Sequence, residues 1–270
     1  MSNGCLLING LHRLQATTGL ADVGEFNNKK MNSEMTKSTI EIPQPIADCS
    51  APILANPLLN AVPLSETYLM DCIEGMRYYP DKYFDLAIVD PPYGIGFDGS
   101  RKSTSKHGGR KAYEFKGWDN EIPPYEYFIE LWRVSKNQII WGANYFVEHL
   151  PPSMGWIFWD KGQRICNSDG ELAYTSFKRA LRVIEANRCK IQEHGGAIHP
   201  TQKPVYLYDW ILLNYAEKGM KILDTHLGSG SSRIAAHKNG FYFVGFEVDK
   251  EYYKKQEKRF KEYASQPRMF

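Results

Sequence analysis

The chain has 270 residues, 43% hydrophobic and 24% charged, with a formal net charge of +2. That is enough for one large α/β domain with a true core, and too near neutral for the bulk basicity of a histone-like nucleic-acid binder, so any such affinity must be local. Cys5, Cys49, Cys72, Cys166 and Cys189 are odd in number and lack metal-ligand spacing. They fit reduced thiols in a cytoplasmic protein better than a disulfide frame or a zinc site. No apolar run approaches the roughly 18 residues of a membrane span, and the start lacks a secretory pattern.

Residues 1–62 hold few aromatics and many Asn, Thr, Ser and Pro without sustained period, and read as a poorly ordered extension. Residues 63–270 read as one domain. Thr67 to Met70 is a short strand ending at Asp71, and Cys72 to Tyr78 a short helix. Tyr83 to Val89 is a second strand running into Asp90. Residues 95–118 form a Gly-, Ser- and Lys-rich loop. Pro124 to Val134 is a helix whose start the two prolines favour. Gln138 to Trp141 and Gly155 to Trp159 are strands, and Glu171 to Phe177 and Leu181 to Ala186 an antiparallel pair. After His199 come a helix (Val205 to Ala216), a strand (Lys221 to Leu223), a helix (Ser231 to Lys238), a strand (Phe241 to Phe246) and a charged amphipathic helix from Lys250 to about Tyr263. Strands alternating with helices of this length predict an α/β fold with a doubly wound, mostly parallel sheet.

Two turns carry chemistry. In the segment Asp224-Thr225-His226-Leu227-Gly228-Ser229-Gly230-Ser231, glycines between a strand and a helix let backbone approach a ligand beside free N–H groups. Such a turn also serves plain strand-to-helix packing. Glu247, 19 residues beyond Gly228 at the end of the next strand, adds the acid that accepts ribose hydroxyls in nucleotide-binding α/β folds. Ile234 stands where a dinucleotide fingerprint has its third glycine, which argues against NAD. The other turn is Asp90-Pro91-Pro92-Tyr93-Gly94. Its prolines end the strand ladder and stiffen the loop. They hold the Asp90 carboxylate and the Pro91 carbonyl as fixed acceptors at the carboxyl edge of the sheet, with a flat ring beside them.

Asp90 to Tyr93 resembles the D-P-P-Y motif of amino-group DNA methyltransferases. The Gly228 turn resembles their cofactor motif, and His199-Pro200-Thr201-Gln202-Lys203-Pro204 the stretch that precedes it in the permuted β class of adenine-N6 enzymes. The resemblance spans roughly Glu66 to Tyr263. It implies a seven-stranded Rossmann-like methyltransferase sheet and S-adenosylmethionine as cofactor. It also implies transfer to the exocyclic N6 amine of adenine in double-stranded DNA, with base flipping and without a metal. Asp90, Pro91, Pro92 and Tyr93 would be catalytic, with Phe97 a second candidate for the base pocket. Asp71, Thr201, Lys203, Asp224, Gly228, Gly230, Ser231 and Glu247 would hold the cofactor. Thr225-His226 departs from the family's usual Pro-Phe. Arg101, Lys102, Lys106, Arg110 and Lys111, with Lys116, lie on the loop beside the catalytic motif and suit phosphate contact. A solvated loop is the plainer reading of such a charge run. A second basic stretch (Lys161, Arg164, Lys178, Arg179, Arg182, Arg188, Lys190) falls in the expected recognition region, about 142–198. A homodimer and a cognate restriction enzyme are compatible with the resemblance. Cytosine-N4 methylation and a catalytically silent DNA- or partner-binding homologue are the rival readings.

Overall fold

The computed structural model describes residues 64–97, 116–162, 168–187 and 197–266. The 1–62 extension, most of the basic loop and Arg164 lie outside them. Eight strands form one sheet: β1 (Ser65–Leu69), β2 (Phe84–Val89), β3 (Ser135–Trp141), β4 (Trp156–Asp160), β5 (Gly170–Thr175), β6 (Arg182–Glu185), β7 (Lys221–Asp224) and β8 (Tyr242–Glu247). Their order is β1-β8-β7-β2-β3-β5-β4-β6. The expected count of seven is therefore exceeded by one. The sequence predicts that the stretches β5 and β6 occupy pair with each other, but β4 lies between them, parallel to β6 and antiparallel to β5. The physical reason is β4 itself, which buries Ile157 and Trp159 on one face and so belongs inside the sheet. β5 alone runs against the other strands.

β2 reads Phe-Asp-Leu-Ala-Ile-Val and is buried at every position but Asp85, as a parallel strand covered on both faces must be. Leu86 and Ile88 enter the core beneath α3 (Val205–Tyr215) and α4 (Ser231–Lys238), against which α5 (Lys250–Ala264) also packs; Ala87 and Val89 enter the core beneath α1 (Cys72–Arg77) and α2 (Tyr125–Val134). In α2, Tyr127, Phe128, Leu131 and Val134 recur at helical spacing and are the residues buried. No helix among the described residues is long and apolar enough to cross a membrane.

β2 and β7 are hydrogen-bonded neighbours, Leu86 against Ile222 and Ala87 against Leu223. From β2 the chain continues through α2 to β3 on one side, and from β7 through α4 to β8 on the other. The strand order thus reverses between them, which opens a crevice at their carboxyl ends. Asp90 and Asp224 stand at that crevice. Because β5 is reversed, its first residues, Gly170 and Glu171, come to the same edge.

Candidate active site

Asp90 leaves β2 with its side chain about one-fifth exposed. Oδ1 accepts from the Tyr93 hydroxyl at 2.7 Å, and Oδ2 accepts from Lys203 Nζ at 2.5 Å. Lys203 also reaches Glu171 Oε2 at 3.1 Å and the Tyr93 oxygen at 3.2 Å, and Glu171 Oε1 meets Lys161 Nζ at 2.8 Å. Lys161 and Lys203 are only 5% and 4% exposed, so this is an enclosed row of alternating charges. Burial pushes the Asp90 carboxyl above its ordinary value and the Glu171 charge adds to this, while Lys203 and Tyr93 pull it back. Burial would also raise Glu171, but Lys203 and Lys161 outweigh it and hold that carboxyl down at about 2.

The Tyr93 ring stacks on Tyr145, with centroids 5.1 Å apart and planes at 16°. Its edge lies where a side chain at Gly142 would be: a Cβ there would come within 2.0 Å of the ring. Gly142 also has φ +68°, which glycine adopts without cost. The turn from Tyr93 to Phe97 is held by Asp119, which is 3% exposed. Its Oδ1 accepts from the amides of Tyr93 (2.7 Å) and Gly94 (3.1 Å), and its Oδ2 from the amide of Phe97 (2.7 Å). A cavity of about 540 Å³ opens over these groups, lined by Asp90 to Tyr93, Phe97, Trp118, Tyr145, Trp159, Lys161, Glu171 and Lys203. Its size falls in the range of small-molecule sites.

The glycine turn lies across β2 and β7 from this cavity. Glu247 Oε2 accepts from Gly228 N and Oε1 from Asp249 N, both at 2.8 Å. Each oxygen keeps a lone pair for a further donor. Met70 N bonds Glu247 O at 3.0 Å, which sets Asp71 beside it; Asp71 Oδ1 caps α1 through the amides of Ile73 and Glu74. Asp224 bonds the Ser232 hydroxyl and His226 N, and burial lifts its carboxyl to about 7. The Ser231 hydroxyl is engaged by Arg259 and Ser229, which makes it a support of the turn. Gly230 is the N-cap of α4 at φ +70°. His199 lies over Gly228, close enough that a Cβ there would meet its ring at 3.6 Å, and Thr201 Oγ1 is 3.1 Å from His199 Nδ1. Two strand-end carboxylates with spare lone pairs around an open-backbone turn match the polar groups of a nucleoside-linked amino acid such as S-adenosylmethionine.

The Thr225-His226 departure has a structural account. The imidazole packs edge-on against Tyr127 (centroids 5.4 Å apart, 66°) as a phenyl ring would. Nδ1 is 2.9 Å from Thr225 Oγ1, which lies 2.8 Å from the Tyr127 hydroxyl. Burial lowers His226 to about 4, so the ring is neutral.

Of the anticipated site residues, the fold gathers Asp90 to Tyr93 with Phe97 at one cavity, and Asp71, Asp224, Gly228, Gly230 and Glu247 around the neighbouring turn. Lys203, expected at the cofactor, has its ammonium on Asp90 and Glu171. Arg101, Lys102, Lys106, Arg110, Lys111 and Arg164 lie outside the described residues. Lys116 is paired with Asp249 and Glu251 at the start of α5. Lys178 and Arg179 follow the far end of β5, away from Glu171. Lys178 is exposed, and Arg179 donates to Asn214 O and lies over the Tyr215 ring. Sequence reasoning missed Asp119, Glu171, Trp118 and Tyr145, and placed Lys161 in the basic stretch of the expected recognition region. A carboxylate opening a half-buried strand needs a cation, and that was the available signal for Glu171.

The fold is α/β, and its cavity and its glycine turn adjoin at the ends of β2 and β7. Residues 158–258 match the family model described as DNA methylase. The Type II methyltransferase M.HinfI of Haemophilus influenzae is 26% identical, over 73% of this chain and 68% of its own. The Type II methyltransferase M2.DpnII of Streptococcus pneumoniae is 41% identical over 70 residues, 26% of each protein. Among solved structures, the cytosine-N4-specific PvuII DNA methyltransferase superposes with a TM-score of 0.50 at 11% identity, over 74% of this chain and 87% of that one. A putative DNA modification methylase of Thermus thermophilus, TTHA0409, gives 0.50 at 14%, over 75% and 97%. These two matches concern the fold. Over these stretches the chain is similar to DNA methylases of the N6/N4 family, enzymes whose cofactor is S-adenosylmethionine.

Proposed function

We propose that the protein methylates the exocyclic N6 amine of adenine in double-stranded DNA, with the base turned out of the helix into the cavity beside Asp90. The observation that carries this reading is the Asp90 carboxylate at the lip of an aromatic-lined cavity, one strand away from the glycine turn. N6 inside a duplex cannot reach that depth, so the base must be extruded and stacked. Tyr93 and Tyr145 offer the rings.

Adenine N6 is a poor nucleophile because its lone pair is delocalised into the ring. Asp90 and the Pro91 carbonyl accept its two N–H groups, which turns the lone pair away from the ring plane and towards the donor side. Pro92 keeps that geometry stiff. As positive charge grows on nitrogen, the carboxylate, already fixed in place, stabilises it. Holding the partners together supplies much of the remaining acceleration. S-adenosylmethionine, when bound, supplies a methyl group on a sulfonium that leaves as a neutral thioether. For that cofactor we assign Glu247 to the ribose hydroxyls and Asp71 to the adenine. The Gly228–Gly230 turn, shaped by Asp224 and Ser231, takes the methionine end, with Thr201 beside it. Lys203 serves Asp90 instead.

Adenine rather than cytosine rests on Asp in place of Ser at position 90. The fold is no guide, since PvuII methyltransferase, which shares it, is cytosine-N4-specific. Labelled methyl transfer into unmethylated genomic DNA, followed by nucleoside analysis, decides between them. We expect N6-methyladenine, and its loss in Asp90→Ala. A product containing only N4-methylcytosine would sink the adenine assignment, and cofactor binding without transfer would favour the silent homologue.

A further inference from the structure

We propose that Glu171, backed by Lys161, is a positioning residue that keeps Asp90 usable by sharing Lys203 with it. The inference rests on the reading above and concerns residues outside every motif that led to it. Lys203 has three protons to donate and three acceptors around it: Asp90 Oδ2 at 2.5 Å, Glu171 Oε2 at 3.1 Å and the Tyr93 oxygen at 3.2 Å. Were Glu171 neutral, the whole ammonium charge would fall on Asp90. That carboxylate would then be a weaker acceptor for an incoming amine.

A second consequence concerns charge. Asp90, Lys203, Glu171 and Lys161 alternate in sign and sum to zero, with both ammonium groups buried. Methyl transfer puts a positive charge on the amine held against Asp90. A row that is already neutral leaves the Asp90 charge free to stabilise it. A row with a net positive charge opposes it. Lys161 keeps the second carboxylate ionised and aimed at Lys203, because β4 ends at Asp160 and the reversed β5 opens at Gly170, which sets Lys161 and Glu171 together at this edge.

The test uses full-length protein, labelled S-adenosylmethionine and unmethylated genomic DNA, with kcat and KM measured for both substrates. Glu171→Gln keeps the shape and leaves one excess positive charge; kcat should fall roughly 10- to 100-fold with KM values within about 2-fold. The double variant Glu171→Gln with Lys161→Met restores neutrality, and it should recover about 5-fold or more of that loss. A role confined to packing predicts the opposite, the double variant no better than E171Q. That result overturns the proposal, as does an unaltered kcat in E171Q beside an active parent. A parent inactive on this DNA overturns the preceding functional reading and this inference with it.

Discussion

At the scale of single residues, the site depends as much on what is missing as on what is present. Gly142 has no side chain because the Tyr93 ring occupies that space. Gly142→Ala should push the ring off Asp90 and strain a backbone at φ +68°. We expect kcat to fall by about 10-fold or more, since displacements of an ångström at a reacting centre carry penalties of that order. Cofactor affinity, measured by titration calorimetry, should be nearly unchanged because the glycine turn lies across β2 and β7. Nothing in the sequence announced this glycine: it follows directly on Trp141, where the predicted strand ends, and the ring it accommodates is 49 residues earlier. By contrast, Asp90 to Tyr93 was legible because two prolines after an apolar strand impose their own local geometry.

At the scale of elements, the turn after β2 is held because one carboxylate from elsewhere in the chain takes three of its amides. Asp119→Asn removes the charge and replaces an acceptor with a donor, so at least one of the Tyr93, Gly94 and Phe97 amides loses its partner. Activity should drop about 100-fold through kcat, and limited proteolysis should cut the segment around residue 95 sooner than in the parent. Equal proteolysis and equal kcat would show that the prolines alone hold the turn. The parallel strands β2, β7 and β8 and helices α2, α4 and α5 were readable from apolar runs and helical spacing. β5 and β6 were misjudged because each is short and either could pair with the other; only the burial of β4 between them decides it. The interaction that matters most for the cavity, Glu171 with Lys203, links strand and loop residues with no sequence relation to one another.

At the scale of the whole molecule, two neutral histidines tie stability to pH. Enclosure holds His199 at about 3 and His226 at about 4, below the ordinary 6.5. As pH falls below 6.5 the unfolded chain binds these protons first, so their contribution is complete above 6.5 and is lost as pH falls towards 4 and 3. Asp224, lifted to about 7, acts with the opposite sign, since the folded chain keeps its proton where the unfolded one has lost it. His226→Phe isolates one histidine. Relative to the parent, the variant's unfolding free energy from denaturant titration should improve as pH is lowered from about 7.5 to about 5.5, by up to about 1.4 kcal/mol per unit below roughly 6.5. An unchanged difference between the two pH values would mean that the imidazole titrates freely. The variant should still methylate, because the ring it restores packs on Tyr127 as the imidazole does.

The adjacency of β2 and β7 has one more consequence. The two half-sites touch across a strand pair, although more than a hundred residues of chain separate them. The first strand and the last helix of the described domain also touch: Tyr253 of α5 donates to Thr67 O of β1 at 3.0 Å. A ring closed at those ends could be opened again between β6 and α3, and the glycine turn would then precede the aspartate. The reaction would be none the wiser, because methyl transfer is governed by which strands are neighbours and not by which is synthesised first.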